Sequence, residues 1–73
     1  MAQIDVKSDV TGTVWKIETK VGDKVAEDDD LMILESMKME IPVAAPEDGT
    51  VLEILVKEEE SVSEGQVVAI IET

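Results

Sequence analysis

One side chain in this 73-residue sequence is placed to do chemistry: Lys38, in the run Glu35-Ser36-Met37-Lys38-Met39-Glu40. Its primary amine sits on a flexible four-carbon stem, the group needed to make a stable amide with a carboxylic acid. An alkylamine in water is almost wholly protonated near neutral pH, so it attacks nothing until a second active site deprotonates or desolvates it. Lys38 therefore reads as an acceptor instead of a catalyst. No rival constellation is readable. The sequence has no histidine and no cysteine, which removes the usual imidazole, thiol and soft metal-ligand chemistry. Neither a catalytic residue nor a metal site is expected. Between Lys24 and Lys57 no lysine other than Lys38 occurs, so the segment offers one amine without a close competitor.

The elements that must hold this amine are legible on either side of it. Leu31 to Ser36 and Met39 to Ala44 are strand candidates separated only by Met37-Lys38, which is hairpin spacing. A two-residue hairpin loop favours Asn-Gly or a glycine-containing pair, because both central residues need positive φ. Met-Lys ignores that preference. Local rules tend to fail where side chains are retained for function, so the tip reads as a site. Met37 and Met39 can offer soft apolar contact to a partner. Met39 fits equally as the first core residue of the following strand.

Around this hairpin the chain repeats itself at an offset of 37 residues: Gly12-Thr13-Val14 matches Gly49-Thr50-Val51, Ile17 matches Ile54, Lys20 matches Lys57, and Val25 matches Val62. Glu27 matches Glu64, Ile33 matches Ile70, Glu35 matches Glu72, and Val6 matches Val43. Two copies are too few for a solenoid and suit one domain, residues 1–73, with pseudo-twofold symmetry. Thr13 to Thr19 is rich in β-branched and aromatic residues, with Trp15 and Ile17 expected on one face and Lys16 and Glu18 on the other. Thr50 to Val56 is more apolar, as a strand buried on both sides would be. Gly22-Asp23, Pro46-Glu47-Asp48-Gly49 and Glu64-Gly65 punctuate the runs with turn chemistry. A helix over Val51 to Glu64 would align Val51, Leu55 and Val62, but the first copy carries Trp, Ile and two Thr where a helix prefers straight-chain residues. The expected fold is all-β: about eight short strands in a flattened antiparallel barrel or sandwich.

Six lysines against eighteen acids give a net charge of −12. Such a field repels phosphate backbones and anionic lipid surfaces, so neither nucleic acid nor membrane is an expected partner. Asp28-Asp29-Asp30 and Glu58-Glu59-Glu60 read as solvated loops, with docking onto a basic partner as the alternative. Asp28 to Asp30 lacks the alternation and closing Glu of a calcium loop. No disulfide is possible, so stability must come from β pairing and packed aliphatics. No signal h-region, Arg-rich transit segment or long apolar span is present, and a cytoplasmic location is expected.

The segment Glu35 to Glu40 closely resembles the attachment site of biotinyl domains, the biotin carboxyl carrier proteins of biotin-dependent carboxylases. Gly12-Thr13-Val14, Val21-Gly22-Asp23-Lys24-Val25, Ala45-Pro46-Glu47-Asp48-Gly49-Thr50-Val51 and Glu64-Gly65-Gln66-Val67 resemble that family's strand and turn signatures. The resemblance covers nearly the whole chain. It implies a flattened eight-stranded biotinyl/lipoyl-like barrel, with biotin joined by an amide to Lys38 at a hairpin tip. Met37 and Met39 would be read by a biotin protein ligase, and Glu35, Ser36 and Glu40 would complete the flanking motif. It further implies a non-catalytic swinging arm serving a biotin carboxylase and a carboxyltransferase. Ser36 departs from the family's common Ala. Asp28 and Glu59 stand where turn glycines are frequent, and each aligns with a glycine, Gly65 and Gly22, in the other copy. The spacing leaves no room for the protruding thumb of some bacterial carriers. Two alternatives share the barrel: a lipoyl carrier of a 2-oxoacid dehydrogenase or glycine cleavage system, whose lysine is more often flanked by Asp and Ala, and an unmodified adaptor module of an export system.

Overall fold

A computed structural model describes residues 2–73, and every regular element among them is a strand. The strands are β1 (Gln3–Lys7), β2 (Gly12–Ile17), β3 (Lys24–Val25), β4 (Asp30–Ser36), β5 (Met39–Ala44), β6 (Gly49–Ile54), β7 (Ser61–Val62) and β8 (Val67–Glu72). They form two four-stranded antiparallel sheets ordered β1-β8-β6-β3 and β5-β4-β2-β7. The eight-stranded flattened sandwich read from the sequence is the fold observed. The helix over Val51 to Glu64 does not form, because that stretch holds β6, a turn and β7.

The 37-residue offset maps one sheet onto the other strand for strand, and it carries irregularities as well as strands. The register shifts between Val14 and Lys16 opposite β4, and between Val51 and Glu53 opposite β8, so Trp15 and Leu52 are equivalent bulge residues. These bulges change the parity of each strand. They overturn the expected pairing of Trp15 with Ile17 on one face: Val14 and Ile17 point to the core, while Trp15 is 50% exposed on the outer surface. The expectation for Thr50 to Val56 is corrected in the same way. Val51 and Val56 are buried, but Leu55 is exposed beyond the end of β6.

The core is built from symmetry mates. Val14 with Val51, Leu31 with Val68, Met32 with Ala69 and Leu34 with Ile71 are all buried between the sheets. The larger Met32 of one copy is offset by the smaller Ala69 of the other, which keeps the interior filled. The turns obey the symmetry too. Asp23 Oδ2 accepts from the Lys20 N–H at 2.9 Å, and Glu60 Oε1 accepts from the Lys57 N–H at 3.0 Å. Asp29 Oδ2 and Gln66 Oε1 play the same part for the N–H groups of Ala26 and Ser63. The acidic triplets are exposed loops, as their composition implies, but two of their carboxylates, those of Asp29 and Glu60, also close turns. Glu58 Oε2 instead ties its loop to the end of β2, accepting from the Ile17 N–H at 3.2 Å.

Candidate functional site

The β4–β5 hairpin has ladder pairs Leu34 with Ile41, Glu35 with Glu40 and Ser36 with Met39, leaving Met37-Lys38 as a two-residue loop. Both loop residues lie in the left-handed region, at φ 52° for Met37 and 66° for Lys38. Positive φ at both central positions is the primed turn that matches the right-handed twist of the flanking strands. Neither residue is glycine or asparagine, so the tip carries backbone strain on the order of 1–2 kcal/mol per residue. The rest of the structure holds it there. Leu34 is fully buried, anchoring β4 two residues before Ser36.

Two contacts fix the stem from outside the hairpin. Ser36 Oγ donates to the Thr11 carbonyl oxygen at 3.0 Å, and Thr11 Oγ1 accepts from the Glu64 N–H at 3.1 Å. Beside them Gly12 packs so closely that a Cβ there would sit 2.5 Å from the Glu35 carbonyl oxygen. Gly49 stands in the same relation to Glu72. The Thr11 contacts and the reason for glycine at position 12 were not foreseen from the sequence. The repeated Gly-Thr-Val was the signal that could have raised the second.

The side chains of the tip are presented to solvent. Met37 is 91% exposed, Met39 is 60% exposed, and Lys38 is exposed between them. Met39 is therefore not a core residue, which overturns one of its two sequence readings. Among the described residues the one ion pair is Lys16 with Glu18, at 4.0 Å. Glu35 and Glu40 are cross-strand partners and both exposed, a like-charge pair directly behind the tip. No group of three candidate metal-ligating side chains occurs among the described residues. A lysine amine on a strained and exposed tip can receive an acyl group and present it at the end of its own stem.

A two-sheet sandwich thus projects one lysine, Lys38, from the tip of its β4–β5 hairpin. The family model Biotin_lipoyl, described as "Biotin-requiring enzyme", matches residues 5–71, and this chain belongs to that family. It is 44% identical over 62 residues to the biotin/lipoyl attachment protein of Bacillus subtilis, covering 85% of each chain. It is 39% identical over 61 residues to the dihydrolipoyllysine-residue acetyltransferase component of the pyruvate dehydrogenase complex of Acholeplasma laidlawii, covering 84% of this chain and 11% of that one. The crystal structure of Kluyveromyces lactis urea carboxylase matches with a TM-score of 0.93 and 38% identity, over 99% of this chain and 6% of that one. The chain thus spans most of one relative and a small part of the others.

Proposed function

We propose that this domain is a biotin carboxyl carrier whose cofactor is joined to Lys38. The observation that carries the reading is the Met37-Lys38-Met39 tip: an exposed amine flanked by two exposed methionines on a turn that sacrifices favourable backbone chemistry to keep them. A biotin protein ligase activates the biotin carboxyl group as an acyl-adenylate. The neutral Nζ of Lys38 attacks that carbonyl carbon, the C–N bond forms, AMP leaves and the ammonium proton passes to the ligase or solvent. The domain's contribution is presentation. Once modified, Lys38 swings the biotin ring between a biotin carboxylase and a carboxyltransferase, and tethering replaces a diffusive search with an effective concentration on the order of millimolar. The domain catalyses neither step. The cytoplasm, which holds ATP and bicarbonate, is the proposed setting.

Lipoate is the competing cargo, since the relatives include a biotin/lipoyl attachment protein and a dihydrolipoyllysine-residue acetyltransferase component. The two methionines favour biotin, because they resemble the biotinyl motif and not the Asp and Ala of lipoyl acceptors. The deciding experiment incubates the apo domain with a biotin ligase or a lipoate ligase, ATP and the matching acid, and reads the intact mass. One biotin per chain is expected. Acceptance of lipoate without biotin would overturn the proposal.

A further inference from the structure

The pseudo-twofold supplies an internal control for what has been changed around Lys38. On the sheet bearing the hairpin, register places Pro42, Ile33 and Lys16 in one row across the outer face, with bulged Trp15 beside them. The equivalent row on the other sheet is Asp5, Ile70 and Glu53, with bulged Leu52. Acids therefore flank Ile70 on both sides. Ile33 has Pro42 on one side and Lys16 on the other, with the half-exposed indole of bulged Trp15 next to Lys16. Trp15 is the sole aromatic residue of the chain, and a half-exposed indole next to a row that holds Ile33 and Pro42 is the type of side chain that anchors protein interfaces.

One row nearer the tip the charges differ as well. Glu35 faces Glu40, whereas the equivalent Glu72 faces Gln3. Like charges directly opposite on a sheet cost stability. The sheet without Lys38 avoids that cost and the sheet with it does not. A partner bringing cations to this point would turn the repulsion into attraction.

We infer that the face formed by Trp15, Ile33 and Pro42, edged by Glu35 and Glu40, is a docking surface for the ligase that acylates Lys38. The partner surface it fits has an apolar pocket for the indole and basic side chains for the two carboxylates. The inference rests on the biotin reading of Lys38. The acylating enzyme is the occupant because unmodified lysine is short: its active site must close over the tip, and so over the face continuous with it. Enzymes served later meet the ring at the end of a longer arm.

The test is steady-state biotinylation by a biotin protein ligase of unaltered, Trp15→Ala, Leu52→Ala and Glu35→Gln/Glu40→Gln domains. Trp15→Ala should raise KM for the domain about tenfold with kcat little changed, while Leu52→Ala leaves KM where it was. The double Gln variant should raise KM and flatten its salt dependence. A second measurement keeps Trp15 in place, so it holds even where Trp15→Ala unfolds. In a nitrogen-15-labelled Lys38→Arg domain, the single indole N–H signal should shift or broaden on adding unlabelled ligase. An unperturbed indole signal, or equal KM values for Trp15→Ala and Leu52→Ala, would overturn the docking surface while leaving biotin on Lys38. No labelling of the unaltered domain would overturn the biotin reading itself, and the ligase surface with it.

Discussion

Gly22 and Glu59 occupy the same place in the two copies and share a left-handed backbone, at φ 96° and 72°. Asp28 and Gly65 are related in the same way, at 73° and 84°. Each copy thus keeps one glycine and strains one acidic residue. Replacing Glu59 by Gly removes a left-handed penalty of about 1 kcal/mol and returns part of it through the freer unfolded chain. The expected net effect is stabilisation of about 0.5 kcal/mol, read as a higher urea midpoint at unchanged m. Asp28→Gly should gain less, because aspartate tolerates this region better than glutamate. A lower midpoint for Glu59→Gly would mean that the turn depends on the acidic side chain.

Gly12→Ala tests the stem of the hairpin. The added methyl group would meet a backbone carbonyl, that of Glu35, at 2.5 Å, and backbone yields less readily than the end of a side chain. A loss of about 2–3 kcal/mol is expected, enough to lower Tm by roughly 10 °C in a domain of this size. Gly49→Ala should cost a similar amount through Glu72. A near-neutral Gly12→Ala would show that β2 and β4 can part without penalty.

The strands, their number and the hairpin were legible because each depends on local pattern, and the repeat supplied two readings of every segment. Positive φ at Asp28 and Glu59 was foreshadowed by their alignment with Gly65 and Gly22. Trp15 was misplaced because a bulge leaves no mark on alternation: the extra residue shows only in the register between Val14 and Lys16. Met39 could not be assigned because a methionine at a strand start suits core and surface alike, and the twist that carries it outward is a property of the turn. Lys38 itself was legible from conflict. Its neighbours obey hairpin spacing while the tip disobeys hairpin chemistry.

Met32 and Met39 give that distinction a measurable form. Met32 is fully buried at the centre of β4, whereas Met39 is mostly exposed. Met32→Ala should cost about 2–5 kcal/mol by leaving a cavity that the surrounding sandwich fills only in part. Met39→Ala should stay within about 0.5 kcal/mol of the unaltered domain and show its effect in ligase KM instead. Chemical denaturation separates the two. Equal losses of stability would return Met39 to the core.

The tip itself should trade stability for function. Met37→Asn combined with Lys38→Gly installs the pair that a primed turn prefers, relieving left-handed strain at both central residues. The double variant should unfold at higher denaturant, by about 1 kcal/mol or more, and accept no biotin, because the amine is gone. Lys38→Arg is the matched comparison. It keeps a left-handed non-glycine residue and a positive charge, so its stability should equal that of the unaltered domain, yet a guanidinium is too weak a nucleophile at neutral pH to form the amide. Labelling of the Lys38→Arg domain at Lys24 or Lys57 would refute Lys38 as the single acceptor. A double variant no more stable than the unaltered domain would show that Met37 and Lys38 carry no strain, and the turn could then no longer be taken as evidence of selection for its side chains.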